Sequence, residues 1–114
     1  MNHSTTTPTK AERAHMDRIK DRGVCVCCWQ RGYRIAGLVE IHHLLSGNKR
    51  RGHLFTVGLC AWHHRALPPF GWGDAEAEYE LGPSLANGSK PFRAVFGSDD
   101  DLMALQERIW SGEA

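Results

Sequence analysis

The stretch that decides the fold runs from residue 25 to residue 65 and reads CVCCWQRGYRIAGLVEIHHLLSGNKRRGHLFTVGLCAWHHR. It contains two pairs of potential metal ligands with the same spacing, Cys25 with Cys28 and Cys60 with His63. Structural zinc takes four thiolate or imidazole ligands, and a two-residue gap lets one tight turn aim two side chains at one ion. We therefore predict that these four residues bind a structural zinc ion.

Cys27 leaves the ligand set open at this stage. Cys25 and Cys27 could coordinate the ion as a Cys-x-Cys pair, and buried free thiols beside a helical histidine are the alternative without metal. Disulfides are less favoured, because seven histidines accompany the four cysteines and residues 1–10 are polar rather than signal-like. Zinc would also add folding free energy to a chain of only 114 residues.

The sequence between the two ligand pairs predicts a hairpin followed by a helix. Residues 38–43 favour an extended strand, residues 46–52 form a turn-rich basic loop, and residues 53–60 read as the return strand. A short helix is expected to begin at residue 60 or 61 and to run until Pro68.

Two histidine pairs lie on these elements, His42 with His43 on the first strand and His63 with His64 on the short helix. Adjacent strand residues point to opposite faces, and adjacent helix residues point about 100° apart. His63 can therefore face the zinc while His64 faces elsewhere. One remaining histidine from each pair can then form a second, open metal site.

The segments outside the hairpin predict helices at both ends of the chain. Thr9 and Ser98 each precede an acidic residue by three positions, which is the pattern of a capping box. We therefore expect helices over residues 10–22 and 99–111. Residues 67–92 mix glycine and proline with aromatic residues and predict a loop that wraps the core, anchored by three aromatic side chains, Phe70, Trp72 and Phe92.

The charge is divided between the two halves of the chain. Residues 1–65 carry a net charge of +7 and residues 66–114 a net charge of −6. The basic half would attract a polyanion if its cations share one face, although two oppositely charged solvated surfaces explain the division equally well. No apolar run approaches the roughly 20 residues that span a bilayer, so no membrane partner is expected.

The order of these motifs resembles the HNH nuclease family over residues 25–65. A Cys-x-x-Cys knuckle, a strand ending in two adjacent residues of which the second is histidine, a loop, and Leu-Cys-x-x-(Cys/His)-His follow one another as in that family. The chain is still more similar to the phage recombination-enhancement (Ref-like) nucleases, which are RecA-dependent HNH enzymes. This similarity extends over about residues 23–106 and is carried by EIHHLLSGNKRRGHLFTVGLCAWHHR and GPSLANGSKPFRAVFGSDDDL.

The resemblance implies an α+β fold with a zinc-stabilised ββα-metal core and flanking N- and C-terminal helices. It implies a single nuclease domain over residues 9–114. Residues 1–8 are expected to be disordered, because they contain no apolar residue to bury after Met1. The expected function is metal-dependent hydrolysis of DNA by a monomer in a bacterial cytoplasm, encoded by a phage or prophage, with a RecA filament as partner. The runner-up is a catalytically silent zinc module that binds nucleic acid, and a structural zinc protein comes third.

Carried over by position, the resemblance makes His43 the general base and makes His42 and His64 the ligands of a catalytic divalent ion, Mg²⁺ or Mn²⁺. Most HNH fingers have aspartate where this chain has His42. A nitrogen-rich site suits Mg²⁺ poorly and favours Mn²⁺, Ni²⁺ or Zn²⁺, so the ion stays open.

The remaining roles fall on the loop and on the short helix. Either Arg65, or Arg50 together with Arg51, could clamp the phosphate, and Lys49 joins the latter two in guiding the DNA backbone. The middle asparagine of the HNH motif has no obvious counterpart. We favour His53 for this role over Phe55 and over Asn48, which lies earlier in the chain.

Overall fold

Helices precede and follow the predicted hairpin in the computed structural model, which describes residues 7–34, 36–46 and 49–114. The expectation for residues 1–6 lies outside this part of the chain, and Thr7 and Pro8 belong to no helix or strand. The predicted α+β class is confirmed. In chain order the elements are α1 (Lys10–Arg22), α2 (Val26–Gln30), β1 (Glu40–His43), β2 (Leu45–Ser46), β3 (Lys49–Arg50), β4 (Thr56–Leu59), α3 (Ala61–Arg65), α4 (Asp74–Leu81), α5 (Ser89–Phe96) and α6 (Asp99–Ser111).

The predicted hairpin forms between β1 and β4, which pair antiparallel with Glu40 opposite Leu59 and His43 opposite Thr56. The basic segment between them differs from the expected plain loop, because β2 and β3 pair within it, with Leu45 opposite Arg50. The short helix α3 follows β4 directly. It ends at Ala66, whose left-handed conformation (φ 59°) stops the helix before the expected Pro68.

Strand β4 is buried along its whole length because helices cover it. The side-chain amide of Gln106 donates to the Thr56 carbonyl at 3.0 Å, and its oxygen accepts the Gly58 N–H at 3.0 Å. These bonds satisfy strand groups that would otherwise be buried without partners. Gly58 is required for close packing, since a Cβ there would lie 2.7 Å from the Val24 carbonyl oxygen.

The two predicted terminal helices, α1 and α6, have the bounds expected from their capping boxes. The Thr9 hydroxyl accepts the Glu12 N–H at 3.1 Å, and the Thr9 N–H donates to the Glu12 carboxylate at 2.8 Å. Ser98 forms the same reciprocal pair at the start of α6. Reciprocal capping satisfies backbone donors that the helix itself cannot pair.

The loop expected over residues 67–92 is wrong, because this segment contains α4, a 3₁₀ turn over Leu85–Asn87 and the first half of α5. Alanine, glutamate and leucine give α4 good helix formers, and its buried face contacts the buried Trp62. Phe70 is not an anchor, since the residue is 84% exposed, whereas Phe92 is buried. Trp72 packs partly buried beside Trp62.

No helix in the described ranges combines the length and apolar character that crossing a bilayer requires.

Candidate metal centre and histidine site

The first candidate site begins at the N-termini of two short helices. Cys25 is the N-cap of α2 and Cys60 is the N-cap of α3. The Cys25 sulfur accepts the Cys28 N–H at 3.4 Å, and the Cys60 sulfur accepts the His63 N–H at 3.5 Å. Each pair is therefore folded back on itself, so that both side chains of a pair face the same point.

These four residues, which we call the Cys/His cluster, bring their ligand atoms within 4.8 Å of one another. His63 Nδ1 lies 3.2 Å from Cys60 Sγ, 3.4 Å from Cys25 Sγ and 3.6 Å from Cys28 Sγ. A tetrahedron with bonds of about 2.0–2.3 Å has edges of about 3.3–3.8 Å. The donor set and its spacing thus fit a structural metal ion such as zinc.

The surroundings of His63 fix how it can bind. Its Nε2–H donates to the Leu81 carbonyl at 2.7 Å, so the Nδ1 lone pair faces the three sulfurs. The Phe96 ring packs edge-on against the imidazole, with the ring centroids 5.1 Å apart. Cys27 is fully buried in the hydrophobic core and lies outside the cluster. The structure therefore favours Cys28, not Cys27, as the partner of Cys25.

The electrostatics of the cluster favour thiolate character. Burial raises the pKa of Cys25, but hydrogen bonds from Cys27, Cys28, Cys60 and His63 outweigh it and hold this pKa well below its usual range. Hydrogen bonding to Cys25 and Cys60, together with burial, raises the pKa of Cys28. The cluster without a cation therefore favours the thiolate of Cys25 and disfavours that of Cys28. A bound dication would remove this restriction.

The second candidate site, which we call the histidine site, comprises His42, His43, His53 and His64. Strand alternation sends His42 and His43 to opposite faces of β1. The His42 ring lies edge-on to the His64 ring with centroids 5.3 Å apart. On the other face, His43 Nε2 lies 3.0 Å from His53 Nδ1. The four imidazoles therefore form two contacting pairs.

A carboxylate that the sequence analysis did not identify joins the first of these pairs. Glu40 Oε1 accepts a hydrogen bond from His64 Nδ1 at 2.7 Å. Arg65 Nε lies 2.8 Å from Oε1 and 2.9 Å from Oε2 of the same carboxylate, and Arg65 Nη2 also bonds Oε2. The predicted phosphate clamp Arg65 is thus bound to Glu40 in the structure, although half of its side chain is exposed.

The pKa shifts follow from these contacts. Hydrogen bonds from Arg65 lower the pKa of Glu40 to about 2, with burial opposing them and the hydrogen bond from His64 adding to them. Burial and the nearby His64 lower the pKa of His42 to about 4, although Asp99 opposes them. Burial, Arg50 and His53 lower the pKa of His43 below its usual range. His42 and His43 are therefore neutral at pH 7 and can offer lone pairs.

The basic residues beside the histidine site are not equivalent. Arg51 forms an ion pair with Asp100 at 2.8 Å, and its guanidinium lies 4.5 Å from the centre of the Phe55 ring. Lys49 and Arg50 are exposed on β3. Within the described ranges neither of these two forms an ion pair. They are the cations in this patch that remain available to an anionic partner.

One comparison with known proteins is decisive. A family model described as recombination enhancement, RecA-dependent nuclease matches residues 8–110. The chain belongs to this family. No curated protein sequence matches the chain. The match includes both candidate sites, so membership of the RecA-dependent nuclease family implies a DNA substrate and the involvement of RecA.

In this member of the RecA-dependent nuclease family, most of the predicted site residues lie in the two candidate sites. Among the described residues, three or more potential ligands converge only in the Cys/His cluster, and the histidine site offers His42 and His64 as a pair. His53 contacts His43, whereas the Phe55 ring lies under Arg51. Asn48 lies outside the described residues.

Glu40 could have been found from the sequence. Residues i and i+2 of a strand share a face, so Glu40 and His42 lie on the same side of β1. Because His42 is expected to meet His64, a carboxylate on the same face of the strand is also a candidate partner for His64. The resemblance to HNH nucleases gives no role to Glu40.

Proposed function

We propose that residues 9–114 form a single HNH-type nuclease domain with a ββα-metal core, and that this domain hydrolyses DNA phosphodiester bonds with a divalent ion. The observation that carries the proposal is the division of each histidine pair between two tasks. His63 faces the Cys/His cluster, while its neighbour His64 lies against His42. Membership of the RecA-dependent nuclease family supports a nuclease role.

His43 is the general base of this proposal. One hydrogen lies between His43 Nε2 and His53 Nδ1, which are 3.0 Å apart. If neutral His43 donates that hydrogen from its Nε2, the Nδ1 atom of His43 keeps its lone pair and can take a proton from water. The water oxygen then forms a bond to phosphorus while the bond to the leaving sugar oxygen breaks. His53 acts as the positioning residue that holds the imidazole and takes the place of the family's middle asparagine.

His42 and His64 are the residues that would hold the catalytic divalent ion. Their fit rests on the structure, since burial keeps His42 neutral and Glu40 occupies Nδ1 of His64, which leaves Nε2 as the ligand atom. A bound ion would supply positive charge beside the phosphate and the leaving oxygen. Two imidazoles favour Mn²⁺ over Mg²⁺.

The surface around this site supports DNA binding through phosphates. Lys49 and Arg50 are exposed on β3, and Arg51 follows them with its charge shared with Asp100. Phosphate contacts orient a nucleic acid without reading its sequence. We therefore propose backbone contacts from these three residues. In this proposal Arg65 supports the site through Glu40 rather than by direct contact with phosphate.

The test is DNA cleavage by zinc-loaded protein with Mn²⁺ or Mg²⁺, with and without RecA filaments. We expect cleavage by wild type, and a loss of about 10²- to 10⁴-fold in rate for His43→Ala, because a general base contributes that much. The variant must keep its zinc and its melting temperature. A His43→Ala protein that cleaves as fast as wild type contradicts the assignment of the base.

The runner-up function gives a different result in the same experiment. A catalytically silent module would bind DNA yet release no cleaved product with any divalent ion, with or without filaments. Binding is measured on the same DNA by fluorescence anisotropy. A wild-type protein that neither binds nor cleaves DNA contradicts both proposals, and the chain would then be a structural zinc protein.

A further inference from the structure

We propose that Glu40 is a positioning residue that sets the tautomer and the direction of the His64 ring, with Arg65 holding Glu40 in place. The inference rests on the proposed function, because it concerns a ligand of the proposed divalent ion. Its physical basis is a chain of three side chains from β1 and α3, in which the Glu40 carboxylate lies between His64 Nδ1 and the Arg65 guanidinium.

The local fold explains why these groups meet. Glu40 and His42 lie on the same face of β1, two residues apart. Helix α3 packs against that strand and presents His64 and Arg65 as consecutive residues of its last turn. Glu40 therefore reaches both residues of the helix, while His42 reaches the His64 ring beside it.

The hydrogen bond decides which nitrogen of His64 is left for a ligand. A carboxylate accepts hydrogen bonds and cannot donate them when ionised, so His64 must carry its hydrogen on Nδ1. The lone pair is then on Nε2. Carboxylates that hold a metal-binding histidine by its other nitrogen fix the ring and raise its basicity. The arrangement thus prepares His64 as a ligand before any cation arrives.

Arg65 limits Glu40 to this supporting role. Arg65 Nε contacts both carboxylate oxygens, and Nη2 bonds Oε2 as well. A carboxylate with both oxygens engaged is held in one orientation, and binding a cation directly would require it to leave Arg65 or His64. The side chain of Glu40 is only 29% exposed, so the protein groups around it, rather than solvent, set its orientation.

The first measurement uses the zinc-loaded protein without added divalent ion. ¹⁵N-detected imidazole spectra report which ring nitrogen of His64 carries the hydrogen. We expect the Nδ1–H form in wild type and a shift toward the Nε2–H form in Glu40→Ala. A structural ion pair between Glu40 and Arg65 would not change this tautomer.

The second measurement is the affinity for Mn²⁺ without DNA, by titration calorimetry. We expect Glu40→Ala to bind Mn²⁺ about 10- to 100-fold more weakly, the usual effect of removing such a partner. Glu40→Gln keeps an acceptor of the same size, and its affinity should fall between those of wild type and Glu40→Ala. Glu80→Ala is the matched control, since it removes an acidic side chain that bonds Tyr33 on another face.

The outcomes separate the two proposals. If wild type binds Mn²⁺ and cleaves DNA, while Glu40→Ala keeps both the tautomer and the affinity, the positioning role is wrong and the nuclease function stands. If Glu40→Ala does not fold, a Mn²⁺ affinity in Glu40→Gln equal to that of wild type overturns the role instead. If wild type binds no Mn²⁺ and cleaves no DNA, the proposed function itself fails.

Discussion

The Cys/His cluster and the histidine site use neighbouring residues of α3 in opposite ways. His63 is fully buried, and three sulfurs and a backbone carbonyl surround its ring. His64 is partly exposed, and its ring contacts one imidazole, that of His42, and one carboxylate, that of Glu40. Closed four-ligand sites stabilise a fold, while sites with open positions are the ones that bind substrate. A single helical step of about 100° therefore separates a residue of the closed cluster from a residue of the open histidine site.

This difference predicts that the two sites fail differently. Cys28→Ser removes a ligand from the closed cluster, and structural zinc binding of about 10–16 kcal/mol is comparable to the whole stability of a small domain. We expect Cys28→Ser to lose zinc and cooperative unfolding, and a strong chelator to do the same to wild type. Metal analysis and circular dichroism during heating measure both effects.

Cys27 provides the matched control for this experiment. It is buried next to the cluster but belongs to the core. Cys27→Ala should therefore keep one zinc per chain and lose only about 1 kcal/mol of unfolding free energy. The comparison breaks if Cys27→Ala loses zinc and Cys28→Ser keeps it, because the ligand pair would then be Cys25 with Cys27.

The two sites also differed in how far the sequence could predict them. Spacing alone predicts the two ligand pairs of the Cys/His cluster, since each two-residue gap closes one turn, although it leaves Cys27 as an alternative ligand. The histidine site needs the pairing of β1 with β4 and the packing of α3, which bring residues about 20 positions apart together. Strand and helix geometry predicts that one histidine of each pair can meet, and the resemblance to HNH nucleases assigns His42 and His64 to that contact. Neither predicts Glu40.

The helices α4 and α5 were missed for a physical reason. Glycine and proline flank them closely, and eight-residue helices give weak periodic signals. Tertiary packing stabilises such short helices more than their own propensity does. The burial of Leu81 and Phe96 beside Trp62 and His63 supplies that packing, and local sequence rules cannot see these long-range contacts.

The open site should respond to pH in a way that the closed cluster does not. A general base must be neutral, and burial, Arg50 and His53 lower the pKa of His43 below its ordinary 6.5. Lowering this pKa extends the neutral form to more acidic pH. We therefore expect the acid limb of log kcat against pH to have its midpoint below 6.5, measured with zinc-loaded protein and saturating Mn²⁺.

Arg50 tests the cause of that shift. Arg50→Gln removes the positive charge that disfavours protonated His43, so the acid limb should move to higher pH. Lys49→Gln removes a neighbouring charge that does not contribute to the shift and should leave the limb in place. An acid limb above 6.5 in wild type, or equal limbs in wild type and Arg50→Gln, contradicts His43 as the titrating base.

The smallest expected effect concerns the cations beside the open site. Each phosphate contact adds about 0.9 to the slope of log K against log salt for duplex DNA. Arg50 is exposed, so Arg50→Gln should reduce the slope by about that amount. Arg51 is already paired with Asp100, so its charge is only partly available to a phosphate. We expect a smaller reduction for Arg51→Gln, measured in a His43→Ala background so that the DNA stays intact.

Arg108→Gln, about 12 Å along α6 from Asp100, is the control and should leave the slope unchanged. Equal reductions for Arg50→Gln and Arg51→Gln would mean that Arg51 leaves Asp100 when DNA binds.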